Sequence, residues 1–265
     1  MCKECGCGLG GDDVKIGAHE HEHDHEHTHE HGHGHDHGHH PHGHEPQTLT
    51  LNRSLMEKNA LLAERNRGFF KAKKLLVLNV VSSPGSGKTT FIRETAARLG
   101  ASLRVGVIVG DLATDNDAIK LRTAGIPVVQ ITTGTVCHLD ADMVSKAASQ
   151  LDLDKLDVLV IENVGNLVCP ADYDLGEELR VVLLSTTEGE DKPLKYPPMF
   201  HSAHVAIITK SDMATAAGFD HKMALLNLHR VSHHAQIFEL SAKTGEGMKA
   251  WLDFLTAQHA AAKGK

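Results

Sequence analysis

The stretch Ser82-Ser83-Pro84-Gly85-Ser86-Gly87-Lys88-Thr89-Thr90 leaves few folds open to this chain. The apolar run Leu75 to Val81 leads into it, and Phe91 to Leu99 leave it with helical periodicity. A strand, a glycine-rich turn, Gly-Lys-Thr and a helix form the layout of a phosphate-binding loop. Glycine at 85 and 87 permits backbone conformations and close approaches that a Cβ would block. The loop N–H groups can then aim at phosphate oxygens, with the helix N-terminus behind them. In this layout Lys88 reaches the β and γ phosphates and Thr89 offers its hydroxyl to Mg²⁺. Gly85, Ser86, Gly87 and Thr90 complete the cradle. One position departs from the G-x-x-x-x-G-K-S/T pattern, because its first glycine is Ser82 here.

From residue 75 onward, strand-like runs fall at 75–81, 104–109, 127–132, 157–162, 180–185, 204–209 and 235–240. Helix-like runs fall at 87–99, 115–124, 139–150, 214–230 and 246–260. This alternation predicts an α/β fold, a mostly parallel sheet flanked by helices, of the P-loop NTPase kind. A further helix is expected over Leu55 to Phe70, ending near Gly68 and carrying no catalytic signal. In such sheets ligands bind beyond the carboxyl ends of the strands. Every motif described below follows a strand, so all of them can converge on one rim.

The region before this domain has a different chemistry. Residues 1–48 hold ten acids and two bases, whereas residues 49–265 are nearly balanced at 24 acids and 25 bases. The body therefore lacks the basic excess that nucleic acid would require. Cys2, Cys5 and Cys7 form C-x-x-C-x-C, three thiolates close enough to wrap one soft or borderline metal ion. With the α-amino group as a fourth ligand the set suits square-planar Ni²⁺, and in a tetrahedral arrangement it suits Zn²⁺; a redox-active tail is the alternative.

Fourteen histidines follow: His19, His21, His23, His25, His27, His29, His31, His33, His35, His37, His39, His40, His42 and His44. Glu, Asp and Gly fill most of the gaps, so no packed core can form and a disordered tail is expected over 1–48. The imidazoles can hold several ions weakly, with capacity falling as pH drops through about 6.5. That favours storage of Ni, Zn or Cu ions over a polar linker with incidental affinity. No apolar run approaches the ~20 residues of a membrane span, and no signal-peptide pattern is seen. The reading is a cytoplasmic chain with no membrane partner, residues 49–265 forming the nucleotide domain with its N-terminal helix.

Several further motifs carry chemistry. Asp111 follows the second strand, where a carboxylate could hold Mg²⁺ through water or orient an attacking water; a turn or helix-capping aspartate is the plainer reading. Cys137 and His138 follow the third strand, and Cys169 lies beyond the fourth. Together they would make a three-ligand sulfur and nitrogen metal site, completed by water or a second subunit; each cysteine alone is more often a buried small apolar residue. Glu162-x-x-Gly165 stands where nucleotide hydrolases carry Asp-x-x-Gly. There Gly165 would donate its N–H to the γ-phosphate, and Glu162 would help hold Mg²⁺. Cys169 is only four residues further on, so movement of this segment should move a metal ligand. Thr209-Lys210-Ser211-Asp212 resembles the Asn-Lys-x-Asp guanine reader, with Thr209 in place of Asn. Asp212 would accept from guanine N1 and N2, and Lys210 would lie along the base. Ser241-Ala242-Lys243 fits the supporting loop that offers an N–H to guanine O6. Two base-reading motifs in order favour GTP over ATP.

Taken together, these motifs resemble the hydrogenase nickel incorporation (HypB) family, nickel-binding GTPases related to the urease accessory protein UreG. The resemblance rests on Cys2-x-x-Cys5-Gly6-Cys7, the Pro-Gly-Ser-Gly-Lys-Thr-Thr loop, Cys137-His138-Leu139-Asp140 and Ile161 to Pro170. It implies a tight nickel site on the N-terminal cysteines and a second, nickel or zinc, site at Cys137, His138 and Cys169 near a dimer interface. It also implies a homodimer favoured by GTP, a HypA-like zinc protein as partner, and delivery of Ni²⁺ to the large-subunit precursor of NiFe-hydrogenase. Hydrolysis of GTP to GDP and phosphate is expected to be slow. No arginine finger is evident, although Arg104 and Arg122 are candidates. A nickel reservoir with a secondary GTPase, and UreG-like service to urease, are the competing readings.

Overall fold

The computed structural model describes residues 15–16, 46–100 and 102–263, with side chains from residue 54 onward. Cys2, Cys5, Cys7 and the fourteen histidines of the tail lie outside the described residues. The elements run β1 (Lys15–Ile16), α1 (Pro46–Ala72), β2 (Leu76–Val81), α2 (Lys88–Leu99), β3 (Val105–Asp111), α3 (Asn116–Thr123), β4 (Val128–Thr132), α4 (Ala141–Ala148) and β5 (Val158–Glu162). Then follow β6 (Leu179–Ser185), α5 (Lys192–Lys195), α6 (Pro197–His201), β7 (Val205–Thr209), α7 (Ala214–Ala217), α8 (His221–Val231), β8 (Gln236–Leu240) and α9 (Met248–Lys263). Among the described residues the strands form one sheet in the order β1-β4-β3-β5-β2-β6-β7-β8. Strands β2 to β8 are mutually parallel, and β1 adds antiparallel to the β4 edge. The expected α/β parallel sheet is thus the observed one.

Alternation along the strands sorts the core into layers. Leu76, Leu78 and Val80 of β2 turn toward α2 and α9, where Phe91, Ile92 and the fully buried Trp251 pack. Trp251 keeps its indole N–H satisfied by donating to Thr95 Oγ1 at 3.1 Å. On the other face Val77 joins Ile108, Ile131 and Ile161 under α1 and α4. Val81 joins Val182, Leu184, Ala206 and Ile208 under α6 and α8. Between Val77 and Val81 the same face carries Asn79, fully buried in the middle of the sheet.

Three local expectations are corrected. The first helix does not stop at Gly68 but runs to Ala72. A lone glycine costs a helix only about 1 kcal/mol, and the actual terminator is Lys74 at φ 55°. Lys74 N–H donates to Lys71 O and Leu75 N–H to Phe70 O, a Schellman closure with Phe70 and Leu75 both buried in one cluster. The helix expected over 214–230 is two helices, because Gly218 at φ 65° ends α7 and Asp220 then caps α8 by accepting from Met223 N–H. Residues 15–16, read as part of a structureless tail, pair with Thr132 and Ile131; the open edge of β4 offers unpaired backbone groups to a passing segment.

Helix α1 has a specific seat. Gly176 sits at φ 88°, and a Cβ there would meet Ala63 O and Asn66 Cβ at 2.6 Å. Replacing Gly176 with alanine is expected to destabilise the chain by more than about 1 kcal/mol. Thermal unfolding followed by circular dichroism should register a midpoint lowered by at least about 2–4 °C.

Candidate nucleotide and metal sites

The parallel register places the carboxyl ends of β2, β3, β4 and β5 on one rim, with Val80 opposite Glu162 and Asp111 opposite Thr132. Ser185, Thr209 and Leu240 share the continuation of that rim. A pocket of about 420 Å³ opens there, lined by the phosphate loop, Asp111, Asp117 and Glu162 to Gly165. Another cavity, of about 490 Å³, lies at the opposite, amino-terminal end of the strands, against Gly100, Arg104 and Gly125. It holds none of the motif residues. Arg104, a candidate finger, belongs to that far cavity and donates to Asp157, so it cannot serve the phosphate rim in this arrangement. Among the described residues no arginine lines the phosphate pocket.

Gly85 and Gly87 take φ 75° and 99°, the left-handed conformations that the loop needs. Lys88 is buried, and its Nζ donates to Ser82 Oγ at 3.0 Å. Ser82, the departure from the glycine pattern, therefore seats the lysine head, and Ser86 also bonds to its hydroxyl. Thr89 donates to Glu162 Oε1 at 2.7 Å. The other oxygen, Glu162 Oε2, is buried with no hydrogen-bond partner among the described residues. Burial pushes the Glu162 carboxyl up to about 7, against the opposing pull of Thr89 and Lys88. Burial likewise lowers the Lys88 ammonium, although Glu162 and other acids favour its charge. An acid and a base that both disfavour charge in the empty pocket suit a site completed by a triphosphate and a divalent cation. The unpaired Oε2 beside the Thr89 hydroxyl is the observation that fits Mg²⁺.

Asp111 Oδ1 accepts from the N–H groups of Ala113 and Thr114 at 3.0 and 2.8 Å. One oxygen thus makes the turn, as the plainer reading has it, while the residue still lines the pocket. Gly165 lies against the phosphate loop, where a Cβ would meet Pro84 at 3.1–3.2 Å. Asp117 in the first turn of α3 and Lys120 in its last also line the pocket and carry no motif that marks them in sequence.

The residues expected to read the base flank the loop without lining this pocket. Thr209 Oγ1 donates to Ser86 O at 3.3 Å, so the threonine still ties the segment to the phosphate loop. Lys210 adopts φ 59° and donates from Nζ to Gly85 O at 2.8 Å. Asp212 accepts from Ser241 Oγ at 2.6 Å, joining the two expected guanine loops. Ala242 is half-buried and Lys243 exposed beside them.

The sulfur cluster is equally compact. Cys137 Sγ and Cys169 Sγ are 2.9 Å apart, and the ligand atoms of Cys137, His138 and Cys169 all lie within 4.8 Å of one another. His138 is buried, stacked on Tyr173 with ring centroids 3.8 Å apart. Burial lowers its pKa and so favours the neutral imidazole, the form that binds metal. Its Nδ1 has no hydrogen-bond partner among the described residues. Tyr173 and the asparagines of α1 have no counterpart in the sequence reading. Asn59 and Asn66 pin both flanks: Ala141 N–H donates to Asn59 Oδ1, and Asn66 Nδ2 donates to Ala141 O and Leu175 O.

The acidity of Glu162 yields a prediction for the chain free of metal and nucleotide. A folded pKa near 7 lies above the ordinary value of 4.5, so stability is lost as pH rises from about 4.5 and levels off above 7. Glu162→Gln should raise the thermal midpoint at pH 8 by several degrees and leave it nearly unchanged at pH 5, as read by calorimetry.

Residues 76–239 match the family described as the CobW/HypB/UreG nucleotide-binding domain. The Escherichia coli hydrogenase maturation factor HypB is 50% identical over 213 residues, 80% of this chain and 73% of that protein. The hydrogenase/urease maturation factor HypB of Helicobacter hepaticus is 39% identical, over 81% of this chain and 89% of that protein. Among solved structures, HypB from Helicobacter pylori in complex with nickel superposes with a TM-score of 0.74 at 40% identity, covering 77% of this chain and 96% of that one. HypB from Archaeoglobus fulgidus gives 0.72 at 38% identity, over 77% and 99% of the two chains. A phosphate-loop domain, a Cys-His-Cys cluster on the same rim and relatives of this closeness assign the chain to the CobW/HypB/UreG family, within its HypB branch of hydrogenase maturation factors.

Proposed function

We propose that this chain is a GTP-hydrolysing nickel metallochaperone that supports nickel insertion into the large-subunit precursor of NiFe-hydrogenase. The observation that carries the reading is the single segment Glu162 to Cys169. Its first residue bonds Thr89 of the phosphate loop, and its last lies 2.9 Å from Cys137. One short stretch therefore touches both the nucleotide pocket and the metal cluster. The Helicobacter pylori relative, solved with nickel, supports nickel as the cargo. The cluster supplies two thiolates and an imidazole, a donor set that nickel and zinc both accept. On this reading the histidine-rich tail stores nickel, Cys2, Cys5 and Cys7 bind it tightly, and a HypA-like zinc protein and a GTP-favoured homodimer take part in delivery.

Thr89, Glu162 and Asp111 would hold Mg²⁺, which neutralises charge on the β and γ phosphates when bound. The remaining catalysis falls to the chain itself. Lys88 leaves its Ser82 seat for the phosphates, and the backbone N–H groups of the loop and of Gly165 stabilise the charge that grows as water attacks in line. Asp111 orients that water. With no arginine lining the pocket among the described residues, intrinsic turnover is slow. The segment from Gly165 to Cys169 carries the change of nucleotide state to the metal ligands.

Two experiments test this reading. Asp212 would accept two hydrogen bonds from guanine, so Asp212→Asn should weaken GTP binding at least about 100-fold. Affinity for xanthosine triphosphate should rise, since asparagine can donate to the xanthine O2. Equal loss for both nucleotides would remove the guanine assignment. In the second, nickel binding to the full chain is compared with that of Cys169→Ser, each loaded with GDP or with a non-hydrolysable GTP analogue. A nickel affinity that depends on the nucleotide in the parent and not in Cys169→Ser is expected. Identical nickel binding in both nucleotide states of the parent would mean that GTP governs partner docking instead.

A further inference from the structure

The two sites are joined by a second route, through the interior. Asn163 follows Glu162, lines the nucleotide pocket and is buried. Its Oδ1 accepts from Leu139 N–H at 3.3 Å, the residue next to His138, and from Val164 N–H at 2.9 Å. Its Nδ2 donates to Asn79 Oδ1 at 3.2 Å. Asn79 Nδ2 in turn donates to Glu177 Oε1 at 3.0 Å. Arg180 Nε donates to the same carboxylate oxygen at 3.0 Å, and Glu177 Oε2 accepts from Leu175 N–H. The guanidinium then reaches the metal side. Arg180 Nη1 donates to Ala171 O at 3.0 Å and to Ser202 Oγ at 2.9 Å, and Nη2 donates to Tyr173 O at 2.8 Å. Ala171 lies two residues past Cys169, and Tyr173 is the ring stacked on His138.

All four side chains are less than a tenth exposed: Asn79 0%, Asn163 1%, Glu177 4% and Arg180 6%. They occupy the seam between the two apolar clusters on one face of the sheet, where Val77 belongs to one cluster and Val81 to the other. An asparagine at the centre of a parallel sheet has no packing advantage over valine. It is tolerated because each end of its amide is bonded. In such a seam any member that moves leaves a buried donor or acceptor unpaired unless its partner follows. The network therefore favours concerted shifts over broken bonds.

We infer that Asn79, Glu177 and Arg180 are positioning residues that transmit the nucleotide state of the pocket to the Cys169–Tyr173 turn and so set the metal affinity of the Cys-His-Cys cluster. This deepens the reading of a nucleotide-switched metal carrier and rests on it. The surface segment Gly165 to Cys169 moves one ligand. The interior relay moves the turn that carries Cys169 and the ring that backs His138, and through Asn163 it holds the backbone beside His138.

The test uses the full chain carrying Cys2→Ser, Cys5→Ser and Cys7→Ser, so that thiolate-to-nickel charge-transfer absorbance reports only Cys137 and Cys169. Nickel is titrated against a competing chelator, once with Mg²⁺ and GDP and once with Mg²⁺ and a non-hydrolysable GTP analogue. A ratio of the two nickel affinities within the usual coupling range, about 5–150-fold, is expected for this parent. Asn79→Leu cuts the relay at a residue that itself lines neither the pocket nor the cluster. It should bring the ratio to within about twofold of one while the affinities for both nucleotides stay near those of the parent. A global packing defect would lower nucleotide affinity as well and would not erase the ratio selectively. If Asn79→Leu does not fold, Arg180→Lys takes its place, since lysine keeps the charge beside Glu177 but cannot bond both carbonyls. A parent ratio well above one that survives in a folded relay variant overturns the relay and leaves the nucleotide-switched carrier intact. A parent ratio of one removes the switch, and the relay falls with it.

Discussion

The parallel pairing of β2 with β5 is the constraint on which both sites depend. It sets Val80 opposite Glu162, so the phosphate loop that follows β2 and the acidic segment that follows β5 leave the sheet side by side. The bond from Thr89 to Glu162 closes that pair at the rim, and the bond from Asn163 N–H to Val80 O continues the strand pairing beside it. Neither site exists without this neighbourhood. The pocket has Glu162 and Gly165 against the loop, and the Cys-His-Cys cluster has Cys169 delivered beside Cys137.

Burial gives these groups their chemistry. Glu162 is pushed toward the neutral form by desolvation, and His138 is held neutral for the same reason. The consequences differ. A neutral imidazole is ready for a metal, whereas a carboxyl raised to about 7 is poorly matched to water and well matched to a cation. Both pocket groups are thus disposed against charge by burial, an arrangement that ligands of opposite sign would suit. The interior seam of Asn79, Asn163, Glu177 and Arg180 is the reverse case, a set of polar groups that satisfy one another without any ligand.

Helix α1 illustrates how far function reaches from the motifs. Asn59 and Asn66 bridge the start of α4 and the loop around Leu175, while Arg67 bonds Asp174 and the carbonyl of Glu177. The helix clamps the two loops that flank the metal cluster. Its close seat on Gly176 leaves no room for a side chain there. A helix that reads as a packing element is in this way part of the frame that holds His138 and Tyr173 in place.

Short motifs are readable along the chain. The phosphate loop, the Glu-x-x-Gly segment, the expected base-reading loops and the Cys137-His138 pair each lie within a few consecutive residues. The strand and helix alternation was legible for the same kind of reason, since burial on both faces demands near-continuous apolar runs. Which residues meet is a matter of the folded chain. Along the chain Asn79 lies within an apolar run, Glu177 just ahead of the strand-like run 180–185 and Arg180 at its first position, and none carries a motif. Their partners lie 84 residues away for Asn79 with Asn163 and 98 for Asn79 with Glu177. Arg104, a candidate for the phosphate pocket by residue type, faces the far end because strand direction assigns it there. Hydrogen bonds across such separations leave no periodic trace, because they are set by sheet order and register, which are properties of the folded chain as a whole.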